Sequence, residues 1–217
     1  MTSAHPTGSF SLAAQLPVAP FDSIFPCAPT SRSCIPQPQT GNKVDILSYR
    51  QRPIFRLAYR NFGTHESLVT NQSVEASPGM AGVRWYEIRR IGGTFSVYQQ
   101  GTYAPDDGVH RWMGSIAMDR FGNMGLGYSV SNGDNVYPGI RYTGRLACDP
   151  SGEMTLGEGV LINGSGSQRV SSRWGDYTDM TVDPTDDCTF WYVNEYYQRS
   201  SQRGWQTRIG VFKLPGC

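Results

Sequence analysis

A short signature recurs three times along the chain at a spacing of about sixty residues, which obliges successive stretches to fold as copies of one unit. Arg52-Pro53-Ile54-Phe55-Arg56-Leu57-Ala58-Tyr59-Arg60 aligns with Arg111-Trp112-Met113-Gly114-Ser115-Ile116-Ala117-Met118-Asp119. The third copy, from Arg173-Trp174 to Val182-Asp183, carries two extra residues but keeps the Arg-Trp pair and the closing apolar stretch. Each copy ends in residues suited to a tight turn: Asn61-Phe62-Gly63, Arg120-Phe121-Gly122-Asn123 and Pro184-Thr185-Asp186-Asp187. Runs rich in β-branched and aromatic residues follow, at Leu68-Val69-Thr70, 124–130 and 188–193. A further set is marked by an arginine: Val83-Arg84-Trp85-Tyr86, Ile140-Arg141-Tyr142 and Thr207-Arg208-Ile209. The first two units continue into a fourth strand candidate, at 95–100 and 154–162, whereas the third stops straight after its third strand.

Tight turns need glycine and proline, and strands favour aromatics; the chain has 25 Gly, 14 Pro and 12% aromatic residues. No window from 50 onward keeps apolar residues at helical spacing, so the chain is expected to be all-β. A repeat of four antiparallel strands is the pattern of a β-propeller blade. A sandwich or jelly roll does not predict the same Arg-plus-apolar signature in each unit. The expected organisation is an extended N-terminal arm over 1–44 and propeller blades over 45–217. The arm holds several prolines and little periodicity, and its expected place is along a neighbouring surface. The last blade lacks a strand, which residues 44–49 are placed to supply. Three blades subtend too little angle to close a ring, so the chain is expected to pair with a second copy as a homodimer that buries both open edges.

Arg111 to Asp119, Tyr137-Pro138-Gly139-Ile140-Arg141-Tyr142, Arg173-Trp174-Gly175-Asp176-Tyr177, Asp183-Pro184 and Asp187-Cys188-Thr189-Phe190-Trp191-Tyr192 together resemble the C-terminal part of a family of large bacterial secreted proteins similar to sialidase-type propellers. The likeness covers about residues 34 to 217. It implies the propeller fold and a secreted or periplasmic origin, and it implies no particular reaction.

Lys plus Arg number 19 and Asp plus Glu 18, a net charge of +1, so no broad field gathers nucleic acid or an acidic membrane surface. No apolar run is long enough to span a bilayer, and Met1 to Phe21 has neither a basic leader nor an apolar signal segment. The five cysteines show no zinc-type spacing. They fit either two disulfides, Cys27–Cys34 and Cys188–Cys217, with Cys148 left over, or five thiols packed as small apolar groups.

Metalloprotease, serine-hydrolase and P-loop motifs are absent, and Gly125-Leu126-Gly127 lacks the rest of a dinucleotide fingerprint. In propellers the ligand face carries the loops leading into each innermost strand and those joining second to third strands. Three segments qualify: 106–112, 133–137, and 173–177 with 194–197. Asp134, Asp176 and Glu195 form an oxygen-rich set of the kind calcium needs, against the plainer reading of solvated turn acids. Arg52, Arg111 and Arg173 recur at equivalent positions and are expected to ring a funnel for an anion, against pairing with local acids. Trp112, Trp174, Tyr177 and Tyr197 would wall a sugar or acyl group, against packing between blades. The leading functional expectation is a calcium-assisted hydrolase opening a lactone or ester, with Asp176, Glu195 and His110 as catalytic groups. The alternatives are a carbohydrate-active propeller, either a sialidase-like glycosidase or a lectin, and a non-catalytic structural or binding module.

Overall fold

The computed structural model describes residues 8–23, 27, 31–46, 52–175 and 178–217. Among these there is no helix; the chain is all-β, with thirteen strands in four antiparallel sheets. A small sheet pairs β1 (Ser33–Ile35) with β2 (Val44–Asp45). Sheet 1 is the meander β3 (Ile54–Asn61), β4 (Glu66–Ser77), β5 (Met80–Ile91) and β6 (Thr94–Tyr103). Sheet 2 is β7 (His110–Met118), β8 (Met124–Ser131), β9 (Tyr137–Arg145) and β10 (Gly159–Gly164). Sheet 3 has three strands, β11 (Asp179–Val182), β12 (Phe190–Tyr196) and β13 (Gln206–Phe212).

The ladders put the three large sheets in a common register. With Arg60, Asp119 and Asp183 aligned as in the sequence repeat, the pairs Tyr59–Leu68, Met118–Met124 and Val182–Phe190 are equivalent, sheet 1 running two pairs further to Asn61–Glu66. Counting back from these pairs, Leu57, Ile116 and Met180 hold one position, and Trp85, Tyr142 and Ile209 hold another on the third strands. Side chains alternate across a strand, so equivalent positions face the same way in each sheet.

The sheets stack face to face through two seams. In the first, β7 lies across β3, β4 and β5, and Ile116, Met118, Met124 and Leu126 pack on Val69, Val83 and Trp85. In the second, Met180, Phe190 and Tyr192 pack on Ala117 and Ile140 of sheet 2. Every residue of β7 is buried, because a strand with a sheet on each face has no solvent side. The second seam is close enough that a Cβ on Gly127 would run into the Tyr192 ring, and one on Gly125 into Phe190. These glycines serve packing.

Hydrogen bonds stitch the seams as well. Ser73 Oγ of sheet 1 accepts the Met113 N–H at 3.0 Å, and Ser129 Oγ of sheet 2 accepts both the Trp174 indole N–H and the Asn194 side-chain N–H at 3.0 Å. At the other end of the strands, Arg60 of β3 donates to the Met118 carbonyl and grips both carboxylate oxygens of Asp187 at 2.7 and 2.6 Å. One side chain thereby joins all three sheets.

The N-terminal stretch divides in two. Residues 14–21 lie over the outward face of sheet 1, beside Thr70, Gln72, Tyr86, Ile88 and Val97. Ala19 N–H bonds Gln100, and Asp22 carbonyl accepts from Glu75 N–H. Residues 33–46 are instead part of the core, with Ile35, Val44 and Ile46 packed among Trp112, Trp174 and Tyr197. This corrects the expectation of a uniform arm over 1–44. Val44 and Asp45 pair with β1, so they do not complete sheet 3 as expected; residues 47–49 lie outside the described residues. Cys27–Cys34 and Cys188–Cys217 are disulfides and Cys148 is an exposed free thiol. No helix among the described residues is long and apolar enough to cross a membrane.

Candidate functional site

A cleft opens at the end of sheet 3, where the stretch leading into β11 meets the end of β12 and the start of β13. It encloses about 380 Å³ and is lined by Ser171, Arg173, Trp174, Gly175, Val193, Asn194, Glu195, Trp205 and Thr207. Gly175 turns the chain in the left-handed region, at φ 56°, with the Met113 side chain close behind it. That turn aims its N–H at Glu195 Oε1, 2.6 Å away. Among the described residues the Glu195 carboxylate has no other side-chain or backbone partner beyond its own strand, and no ion pair. Burial therefore pushes its carboxyl above the usual carboxylate range, with the Gly175 hydrogen bond pulling the other way. Of the other lining residues, Trp205 is half exposed, Arg173 is exposed and Trp174 is buried.

Of the residues expected to act, Glu195, Arg173 and Trp174 meet in this cleft. Asp176 and Tyr177 lie outside the described residues. Asp134 is exposed in the turn after β8, where its N–H and those of Asn135 and Val136 all bond Asn132 Oδ1; it does not line the cleft. That placement is the turn role its residue type favours. Arg52 is exposed and is also absent from the cleft.

Three expectations are corrected by burial. Arg111 is 1% exposed, and its guanidinium is taken up by Asp107, Glu158 and the Val109 carbonyl at 2.7–2.9 Å, so it offers no donor face to a ligand. Glu158 in turn accepts from Tyr128 and Arg141, which closes a network across sheet 2. His110 is buried, accepts the Ala81 N–H at Nδ1, and has its pKa lowered to about 4 by that burial and by Lys43; it is a neutral core imidazole away from the cleft. Trp112, Trp174 and Tyr197 do come together, with ring centres 6.0 and 5.9 Å apart, but as a buried column between sheets rather than a ligand wall.

Trp205 and Thr207 escaped the sequence reading. Trp205 ends the connection between the second and third strands of the third unit, the very kind of loop on which ligand residues were sought, and Thr207 opens the third strand just after it. Asp119, Cys188 and Cys217 converge within 4.8 Å, yet the two sulfurs are bonded to each other and so are not available as thiolate ligands.

Comparison of the chain with models of known protein families, with curated proteins and with solved structures finds no match.

Proposed function

We propose that the three stacked sheets are blades of a propeller-type architecture and that the protein is a saccharide-binding module, its ligand taken by the cleft beside Glu195. The observation that supports this most is the presence in one cleft of an exposed indole, Trp205, and a carboxylate that spends a single hydrogen bond on Gly175. A sugar presents an apolar C–H face, which stacks on an indole, and a rim of hydroxyls, which need acceptors and donors placed around that stack. Glu195, Asn194, Thr207 and Ser171 supply that rim. The volume falls in the range of small-molecule sites.

Glycoside hydrolysis needs two carboxyl groups flanking one bond, and calcium needs six or more oxygens. Among the described residues Glu195 is the acid that lines the cleft, and Asp176, next after Gly175, lies outside them. A glycan array followed by calorimetry on wild type, Trp205→Ala and Glu195→Gln tests the reading. Binding that survives chelator and weakens about tenfold or more in each variant, roughly 1.4 kcal/mol, is the expected result. Absence of glycan binding, or calcium-dependent turnover of a lactone panel that is lost in Glu195→Gln, would overturn it in favour of the hydrolase.

A further inference from the structure

The repeat register makes the two ends of the stack two halves of one interface. Leu57 and Tyr59 of β3 occupy the positions of Ile116 and Met118, which are buried against sheet 1, and of Met180 and Val182, which turn to sheet 2. In sheet 1 no sheet among the described residues lies over them. Phe55, Leu57 and Tyr59 stand 58%, 55% and 56% exposed in a row, because the N-terminal stretch covers the neighbouring strands and stops short of β3. At the far end, Trp191 and Ile209 occupy the positions of Val69 and Trp85, which are almost wholly buried under β7. In sheet 3 no sheet among the described residues covers them, and Trp191, Ile209 and Val211 are 42%, 66% and 53% exposed.

We propose that a second copy of this chain fills both faces, β3 of one copy lying across β11, β12 and β13 of the other as β7 lies across β3, β4 and β5 within the chain. The seam is built twice inside the molecule, between sheets 1 and 2 and between sheets 2 and 3, and the exposed rows are its unmatched halves. A head-to-tail contact of this kind closes on itself in a two-fold pair, giving a ring of six large sheets, three from each copy. Propellers of four to eight blades close in this way. The N-terminal stretch leaves β3 open but covers β4 at Thr70, so the second copy meets sheet 1 through β3. The inference stands on the exposed apolar rows and not on the saccharide reading.

Sedimentation and light scattering across a concentration series test it on the full chain. Wild type is expected at twice the 24.0 kDa chain mass, dissociating on dilution. Leu57→Arg and Ile209→Glu, both at exposed positions, are each expected to stay at chain mass with unchanged circular dichroism. Mixed in equal amounts they are expected to pair again, because one seam of the mixed pair is unaltered and the other sets arginine against glutamate. Amide exchange in β3 and β13 of wild type, slowing as concentration rises, checks the same contact without a variant. Wild type at chain mass throughout, single variants that pair as wild type does, or an open ladder of larger species would each overturn the closed pair.

Discussion

Burial among apolar neighbours holds His110 at a pKa of about 4 in the folded chain, against 6.5 when it is free, with Lys43 adding to the shift. The folded value is the lower one, so on acidification the unfolded chain takes up the proton first. Stability is complete above pH 6.5 and drains away as pH falls toward about 4, by on the order of 3 kcal/mol. Denaturant titrations at stepped pH should show this slope in wild type and its absence in His110→Asn, whose amide oxygen can still accept the Ala81 N–H. An identical slope in both would assign the acid sensitivity to other groups. At this scale the sequence is a partial guide. Arg111 announces itself by recurring, but the carboxylate that claims it, Glu158, lies 47 residues on, and short-range pattern carries no sign of which face of a strand the pair will share. Arg52, Arg111 and Arg173 have one motif and three environments.

Strands and turns were far more legible, because β-branched runs and Gly, Asn and Asp clusters act locally. The first two units start within two residues of Arg52 and Arg111, the third only at Asp179, six residues after Arg173, and among the described residues the third lacks a fourth strand. Boundaries depart where tertiary contacts intervene: the strand expected over 154–162 begins only at Gly159, since Glu158 is drawn off to Arg111 and Arg141. Residues 33–46 read as featureless for a related reason. Ile35, Val44 and Ile46 are too few to show a period, and only the column of Trp112, Trp174 and Tyr197 gives them something to pack on. At the second seam, Gly127→Ala sets a methyl against the buried Tyr192 ring and should cost about 1–3 kcal/mol in denaturant unfolding. Unchanged stability would mean that sheets 2 and 3 can part slightly without loss.

Across the whole molecule, the stacking of the sheets was foreshadowed by the repeat, whereas its fastening was not. Arg60 is an ordinary member of the first copy, and its contacts with Met118 and Asp187 span 58 and 127 residues of chain. Arg60→Met removes three donors from a site where Asp187 is held in a left-handed turn at φ 54°. The expected loss is about 1.5 kcal/mol, the lower end for bonds to a charged group because Asp187 is partly exposed. Faster amide exchange in the first hairpins of sheets 1 and 3 should accompany it, and exchange unchanged in both would deny the clasp a role. The complete burial of β7 has a kinetic and thermodynamic corollary. Sheet 2 cannot shed either neighbour without wetting one side of its innermost strand, so each seam is coupled to the other through a strand common to both. Repeat arrays joined only by weak neighbour contacts melt in stages. Here the middle repeat is the nucleus on which both flanks depend, and heat or denaturant should take the chain apart in one concerted step.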